Sequence, residues 1–225
     1  MEIVAPQRSA TAAPRRIRVL GVDPAATGPT GYGIVDSEGS RCRAIHYGVL
    51  RVAGKQRENA GAALEAVHTC ICDLIREYSP DFLAVESIFS ALNVRTALRL
   101  AEVRGVVLLA AAQHGIGVHS YAPREIKASI AGYGHADKRQ MQIMVKALLS
   151  LVEIPEPADA ADALAVALCH LQSQYTASRF HLQTPPRASK TRNTGLNDIS
   201  TGVNATKRGA ARLLGSATSR LADPR

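Results

Sequence analysis

The chain has 225 residues, 46% of them hydrophobic and 20% charged, which suits one ordinary globular domain and leaves no room for two large ones. Its longest uninterrupted apolar run, Val106 to Ala112, falls far short of the ~20 residues that a membrane-spanning helix needs. The formal charge of +8 is unevenly placed: residues 1–16 carry +2, residues 176–225 carry +7, and the stretch between them carries −1.

The high isoelectric point therefore belongs to the chain ends and is only a weak argument for a polyanionic partner. Within the middle stretch, residues 87–150 hold a local +5 while much of the acidity lies elsewhere. A basic sub-region beside a separate acidic cluster suits a site that handles an anion through bound metal. Four cysteines without a regular framework read as reduced thiols, and the first sixteen residues hold no apolar secretory core. A cytoplasmic protein with no membrane partner is expected.

Residues 1–16, rich in Ala, Pro and Arg, read as a disordered lead-in. Ile17 to Val22 forms a first strand, ended by Asp23-Pro24 because proline cannot continue the ladder. Thr30 to Val35 and Arg43 to Val52 make two more strands, and their short connections imply an antiparallel meander. The period then changes: Ala60, Ala63, Leu64, Val67, Ile71, Leu74, Ile75 and Tyr78 recur at helical spacing. Pro80-Asp81 breaks that helix, and Phe82 to Val85 is a buried strand ending at Glu86. A helix over 91–114, capped by Gly115, leads into a fifth strand, Ile116 to Tyr121. Helices follow over 123–130, 137–149 and 158–172. The crossover helix between strands four and five predicts that both run parallel to strand one. After Tyr175, Ser, Thr, Arg, Pro, Asn and Gly dominate, so 176–225 read as a flexible basic tail, with a short helix conceivable around Ala210 to Leu214. The one folded domain is thus 17–175, an α/β fold with a five-stranded mixed sheet and helices on both faces.

Asp23 and Glu86 each follow a strand that this topology sends in the same direction, so they project from one sheet edge, where open α/β folds hold ligands. An acid after a strand is often only a turn residue or cap. Glu86 is the more telling, because a long acid ending Phe-Leu-Ala-Val neither caps nor turns well. Asp159 and Asp162, three apart among alanines, share a helix face and repel one another. An N-cap role for Asp159 after Pro157 is the ordinary alternative. Four acids in one place would require divalent cations, and an all-carboxylate set suits hard ions such as Mg²⁺. Cys70 and Cys72 diverge on their helix, and no paired-cysteine zinc pattern, GxSxG or Walker loop is present. Lys127 follows the fifth strand, while Lys138 and Arg139 follow the Gly-rich stretch 131–135; both placements suit phosphate contacts. Phe89, three residues after Glu86, is either core or a ring that stacks on an unpaired base.

These motifs together resemble the RuvC-type crossover junction endodeoxyribonucleases, the bacterial Holliday junction resolvases. The resemblance spans about 17–173 and rests on GVDPAATGPTGYG, FLAVESIF, the AEVRG helix, YAPREIK, AGYGHADKRQM and PADAADALAVALCH. It implies an RNase H-like fold and a homodimer that makes paired symmetric nicks in four-way junction DNA, in recombination and repair. It also implies Mg²⁺, two ions per site with Mn²⁺ as a substitute, and partnership with a branch-migration complex of RuvA and RuvB type proteins. It assigns metal ligation and catalysis to Asp23, Glu86, Asp159 and Asp162, and junction contacts to Phe89, Lys127 and Lys138, with Arg139 beside them. Ala25 stands where the family usually has Gly, and the 23–30 loop is one residue longer than usual. Two rivals carry other chemistry. An actin-like ATPase needs a second domain and a second phosphate loop; a non-catalytic junction binder would not need all four acids.

Overall fold

Alternation along the first strand sets the layers. The computed structural model describes residues 16–52, 59–88 and 93–179. In β1 (Arg16–Asp23), Val19 belongs to one buried cluster while Leu20 and Val22 belong to another on the opposite face of the sheet. A strand buried on both faces needs cover on both.

β1 sits at the centre of the sheet order β3-β2-β1-β4-β5. β2 (Thr30–Glu38) pairs antiparallel with β1, and β3 (Arg41–Leu50) antiparallel with β2. β4 (Phe82–Glu86) runs parallel to β1, and β5 (Gly117–Tyr121) parallel to β4, as the crossover connections require. One face is covered by α1 (Ala60–Tyr78) and α2 (Val94–Gln113), whose Val67, Ile71, Leu74, Val107 and Ala110 pack on Leu20, Val22, Ile34, Leu83 and Val85. The other face carries α3 (Pro123–Ala131), α4 (Lys138–Leu148) and α5 (Ala158–Arg179), with Leu164, Leu168, Ile126 and Met141 around Val19, Val35 and Ala84. The expected mixed sheet with helices on both faces is what forms.

Boundaries moved for identifiable reasons. β1 takes in Arg16 at its start and Asp23 at its end. β2 runs three residues past Val35, because its polar end is paired and not solvated. Asp36 is buried, and the Arg18 Nε and Nη2 donate to its two carboxylate oxygens at 2.6 and 2.9 Å. The third guanidinium nitrogen, Nη1, donates to the Tyr78 carbonyl at 2.7 Å and ties the end of α1 to the sheet. A tight turn at Gly39, with φ of 62°, then starts β3 at Arg41, two residues earlier than the sequence pattern implies. The side chain of Asn93 accepts from the Thr96 backbone N–H at 2.9 Å, so α2 begins at Val94. α5 continues past Gln172 to Arg179, so residues 176–179, expected to begin the flexible tail, are helical: no Pro or Gly interrupts them. Residues 1–15 of the expected 1–16 lead-in, residues 180–225 of the expected 176–225 tail with the possible helix at Ala210 to Leu214, and Phe89 lie outside the described residues. Among the described residues, no helix is long and apolar enough to cross a membrane.

Candidate active site

Asp23 and Glu86 are the last residues of β1 and β4, not the first residues beyond them. Those strands are parallel neighbours with Val22 beside Val85, so the two acids stand side by side at one sheet edge. Period-two alternation puts Asp23 on the face of Val19, and Glu86 on the face of Ala84. That face is the one α5 covers.

How closely α5 approaches is set by glycines. A Cβ added to Gly21 would overlap the carbonyl oxygen of Ala163, and one added to Gly31 would overlap that of Asp159. On Gly33 it would stand 2.8 Å from Leu164 Cδ2. With no side chains at these positions, the helix backbone rests on the strands, and its N-terminal turn reaches Asp23. The Ala160 N–H donates to the Pro157 carbonyl at 2.9 Å, so the helix starts ahead of Asp159, which therefore sits inside its first turn and is not the N-cap. Asp23, Asp159 and Asp162 then each offer an oxygen within 4.8 Å of the others. Glu86 joins them through a side-chain hydrogen bond with Asp23.

Crowding acids in a half-buried place raises the cost of ionising them. Burial, followed by the charges of Glu86 and Asp162, the hydrogen bond that protonated Asp23 donates to Glu86 and the charge of Asp159, pushes the Asp23 carboxyl up to about 8. Burial also raises Glu86, although its hydrogen bond with Asp23 and the charge of Lys127 pull the other way. A carboxyl that keeps its proton near neutrality marks a cluster short of positive charge. Oxygen-only donors at this spacing fit hard divalent cations, and a zinc-type set of thiols and imidazoles is absent from this cluster.

Two cations share a cleft with two of the acids. The cleft, of about 220 Å³, is lined by Glu86, Asp162, Lys127, Lys138 and Met141 among others. Lys127 comes from α3 and Lys138 is the first residue of α4. The Lys138 ammonium lies 3.1 Å from an Asp162 oxygen. Arg139 is exposed on the same helix and is not among the cleft-lining residues. A second cavity of about 210 Å³, behind the 25–28 loop and bounded by Leu50, Val67, Arg99 and Glu102, brings together no acidic cluster. His68 and Cys72 pack within 3.8 Å of each other while His68 also meets Gln113, an ordinary surface contact.

Sequence reasoning found the acids and the lysines but not the glycines that seat the helix. The available signal was the recurrence of Gly31 and Gly33 on one face of β2, with Gly21 directly across the ladder from Gly33.

Comparison with known proteins bears on the same region. Residues 19–170 match the family model described as crossover junction endodeoxyribonuclease RuvC. The protein of that name from Syntrophomonas wolfei is 44% identical over 176 residues, covering 78% of this chain and all of the relative. That from Desulforamulus reducens is 46% identical over 154 residues, covering 68% of this chain and 93% of the relative. Among solved structures, Thermus thermophilus RuvC in complex with a Holliday junction substrate superposes with a TM-score of 0.67 at 32% identity, over 72% of this chain and 97% of that one. The yeast mitochondrial Holliday junction resolvase Ydc2 shares the fold, with a TM-score of 0.51 at 13% identity over 75% of this chain and 86% of that one.

Proposed function

The chain belongs to the RuvC family of crossover junction endodeoxyribonucleases, and on that premise we propose that it resolves four-way DNA junctions by paired symmetric nicks. The observation that carries the reading is the convergence of Asp23, Asp159 and Asp162 within 4.8 Å, with Glu86 hydrogen-bonded to Asp23. Asp23, Glu86, Asp159 and Asp162 hold the metal, which is Mg²⁺, two ions per site, with Mn²⁺ able to replace it. The chemistry that such ions would supply there is activation of water and stabilisation of the leaving oxygen of a phosphodiester.

The chain's own groups supply the rest. Lys127 and Lys138 line the same cleft as Glu86 and Asp162 and take the substrate phosphates, fixing which bond lies over the carboxylates. Arg139, exposed beside Lys138, adds charge along the DNA backbone. Phe89, three residues after Glu86 in the sequence, is the ring that stacks on an unpaired base.

Two matched cuts across a two-fold symmetric junction need two active sites, hence a homodimer. Support comes from α2, where Val94, Leu98 and Leu109 are 75%, 60% and 50% exposed and Gly105 leaves open space. The reading extends to a branch-migration complex of RuvA and RuvB type proteins as partner, and to the cytoplasm as the place of action. The direct test is a labelled synthetic four-way junction incubated with the protein and Mg²⁺. Two nicks at symmetric positions, absent in EDTA, are expected. Binding with no nick under any divalent ion would leave a junction-binding protein and overturn the enzymatic reading.

A further inference from the structure

The Lys138–Asp162 contact of 3.1 Å is, among the described residues, the one ion pair made by any of the four acids. Its placement is costly on local grounds. Lys138 is the first residue of α4, where the helix dipole disfavours a cation. The base of the side chain is fixed. Asp137 caps the helix by accepting from the Gln140 N–H at 2.8 Å, and the Gln140 side chain accepts in return from the Asp137 N–H at 3.0 Å and from the Tyr133 hydroxyl at 2.6 Å. The side chain is 58% exposed, and it lines a cleft shared with Lys127 and Glu86. A fixed stem with a solvent-accessible charged end, drawn against its own helix dipole to an acid cluster, is placed as a counter-ion.

We propose that Lys138 is a displaceable counter-ion, holding Asp162 until a divalent cation takes that carboxylate and then turning to the substrate phosphate. The proposal rests on the metal-site reading above. An ammonium at 3.1 Å from the carboxylate and a divalent ion on the same group repel each other, so the two occupancies exclude one another. Metal binding and phosphate binding are thereby coupled, and the coupling is reciprocal: DNA that engages Lys138 frees Asp162 for metal by the same factor by which metal frees Lys138 for DNA. The pair is partly solvated, which limits the factor to roughly three- to fivefold.

The experiment is calorimetric titration of Mg²⁺, and of Mn²⁺ followed by its spin resonance, into the full-length metal-free protein without DNA. Lys138→Ala is expected to bind metal about three- to fivefold more tightly than the parent. Arg139→Ala, which removes the same charge one residue on without touching Asp162, is expected to stay within about twofold, and Lys138→Arg near the parent. A second measurement uses junction binding in EDTA, where nothing is cut. Asp162→Asn is expected to tighten binding, and to tighten it less in the Lys138→Ala background, because part of the gain is the released ammonium. Equal metal affinities for Lys138→Ala and Arg139→Ala, or an additive double-mutant cycle, would overturn the counter-ion role. A parent protein that shows no saturable binding of either ion would overturn the metal-site reading itself.

Discussion

Gly31 of β2 lies directly beneath the backbone of Asp159, so closely that any side chain there would overlap the aspartate's carbonyl oxygen. A residue with no chemistry of its own therefore decides where one of the acids stands. Gly31→Ala is expected to push the start of α5 off the sheet, costing about 1–3 kcal/mol of stability in overpacking. Mn²⁺ affinity should fall at least tenfold, more than the melting shift alone accounts for, while Gly105→Ala, with open space at that point, should leave both unchanged. Mn²⁺ affinity unchanged in Gly31→Ala would separate that contact from the site.

Asp23→Asn and Glu86→Gln are each expected to abolish nicking while junction binding stays the same or tightens. Neutralising an acid removes a metal ligand and also removes repulsion toward phosphate. Gel cleavage in Mg²⁺ beside gel-shift affinity in EDTA reads the two effects separately. Near-parental cleavage by either variant would take that residue out of the metal site.

The protonation of Asp23 has a consequence for stability. In the folded, metal-free chain its carboxyl keeps a proton up to about pH 8, whereas in the unfolded chain it gives that proton up near pH 4. The folded state binds more protons between those limits, so this contribution is complete below about pH 4 and is lost as pH rises through about 8. Melting temperature in EDTA should therefore fall from pH 5 to pH 8 more steeply for the parent than for Asp23→Asn, and Mg²⁺ should remove the difference. Parallel slopes in EDTA would contradict the burial of a protonated Asp23.

Asp36 tests the fold without touching the site. Arg18 pairs with it through both oxygens, and the pair lowers the Asp36 carboxyl below its usual range, the hydrogen bond from Arg18 being the chief cause. Asp36→Ala would leave the guanidinium half-buried without its carboxylate, at a cost of about 3 kcal/mol in chemical denaturation. At temperatures where the variant is folded, its cleavage positions and metal requirement should match the parent's.

The exposed face of α2 should be the dimer contact. Leu109→Glu places a charge on it and is expected to shift sedimentation at micromolar concentration from dimer to monomer, while circular dichroism stays that of a folded domain. Paired cutting of a junction should then give way to single nicks. A parent protein that sediments only as monomer yet cuts both strands would exclude this interface.

Much of this was legible in the chain. Glu86 stood out because it ends an apolar run with an acid that has no local use, and the change of period from two to 3.6 located the elements to within a few residues. The end of β2 was not legible, because Asp36-Ser37-Glu38 reads as a turn until Arg18, far away in sequence, is brought beside it. The Lys138–Asp162 contact depends on how the 132–137 turn aims α4, which no local pattern encodes. The glycines under α5 look like flexibility in the sequence and act as a flat seat in the fold.

Because β1 carries Asp23 and α5 carries Asp159 and Asp162, the proposed metal centre is divided between the first and last elements of the described domain. A chain made only up to the end of α4 carries two of the four acids, Asp23 and Glu86, and lacks Asp159 and Asp162. Such a half-made chain has half of the proposed metal ligands and is expected not to cut DNA. The same division makes the packing of α5 on β1, through the bare backbone of Gly21, the contact that assembles the acids.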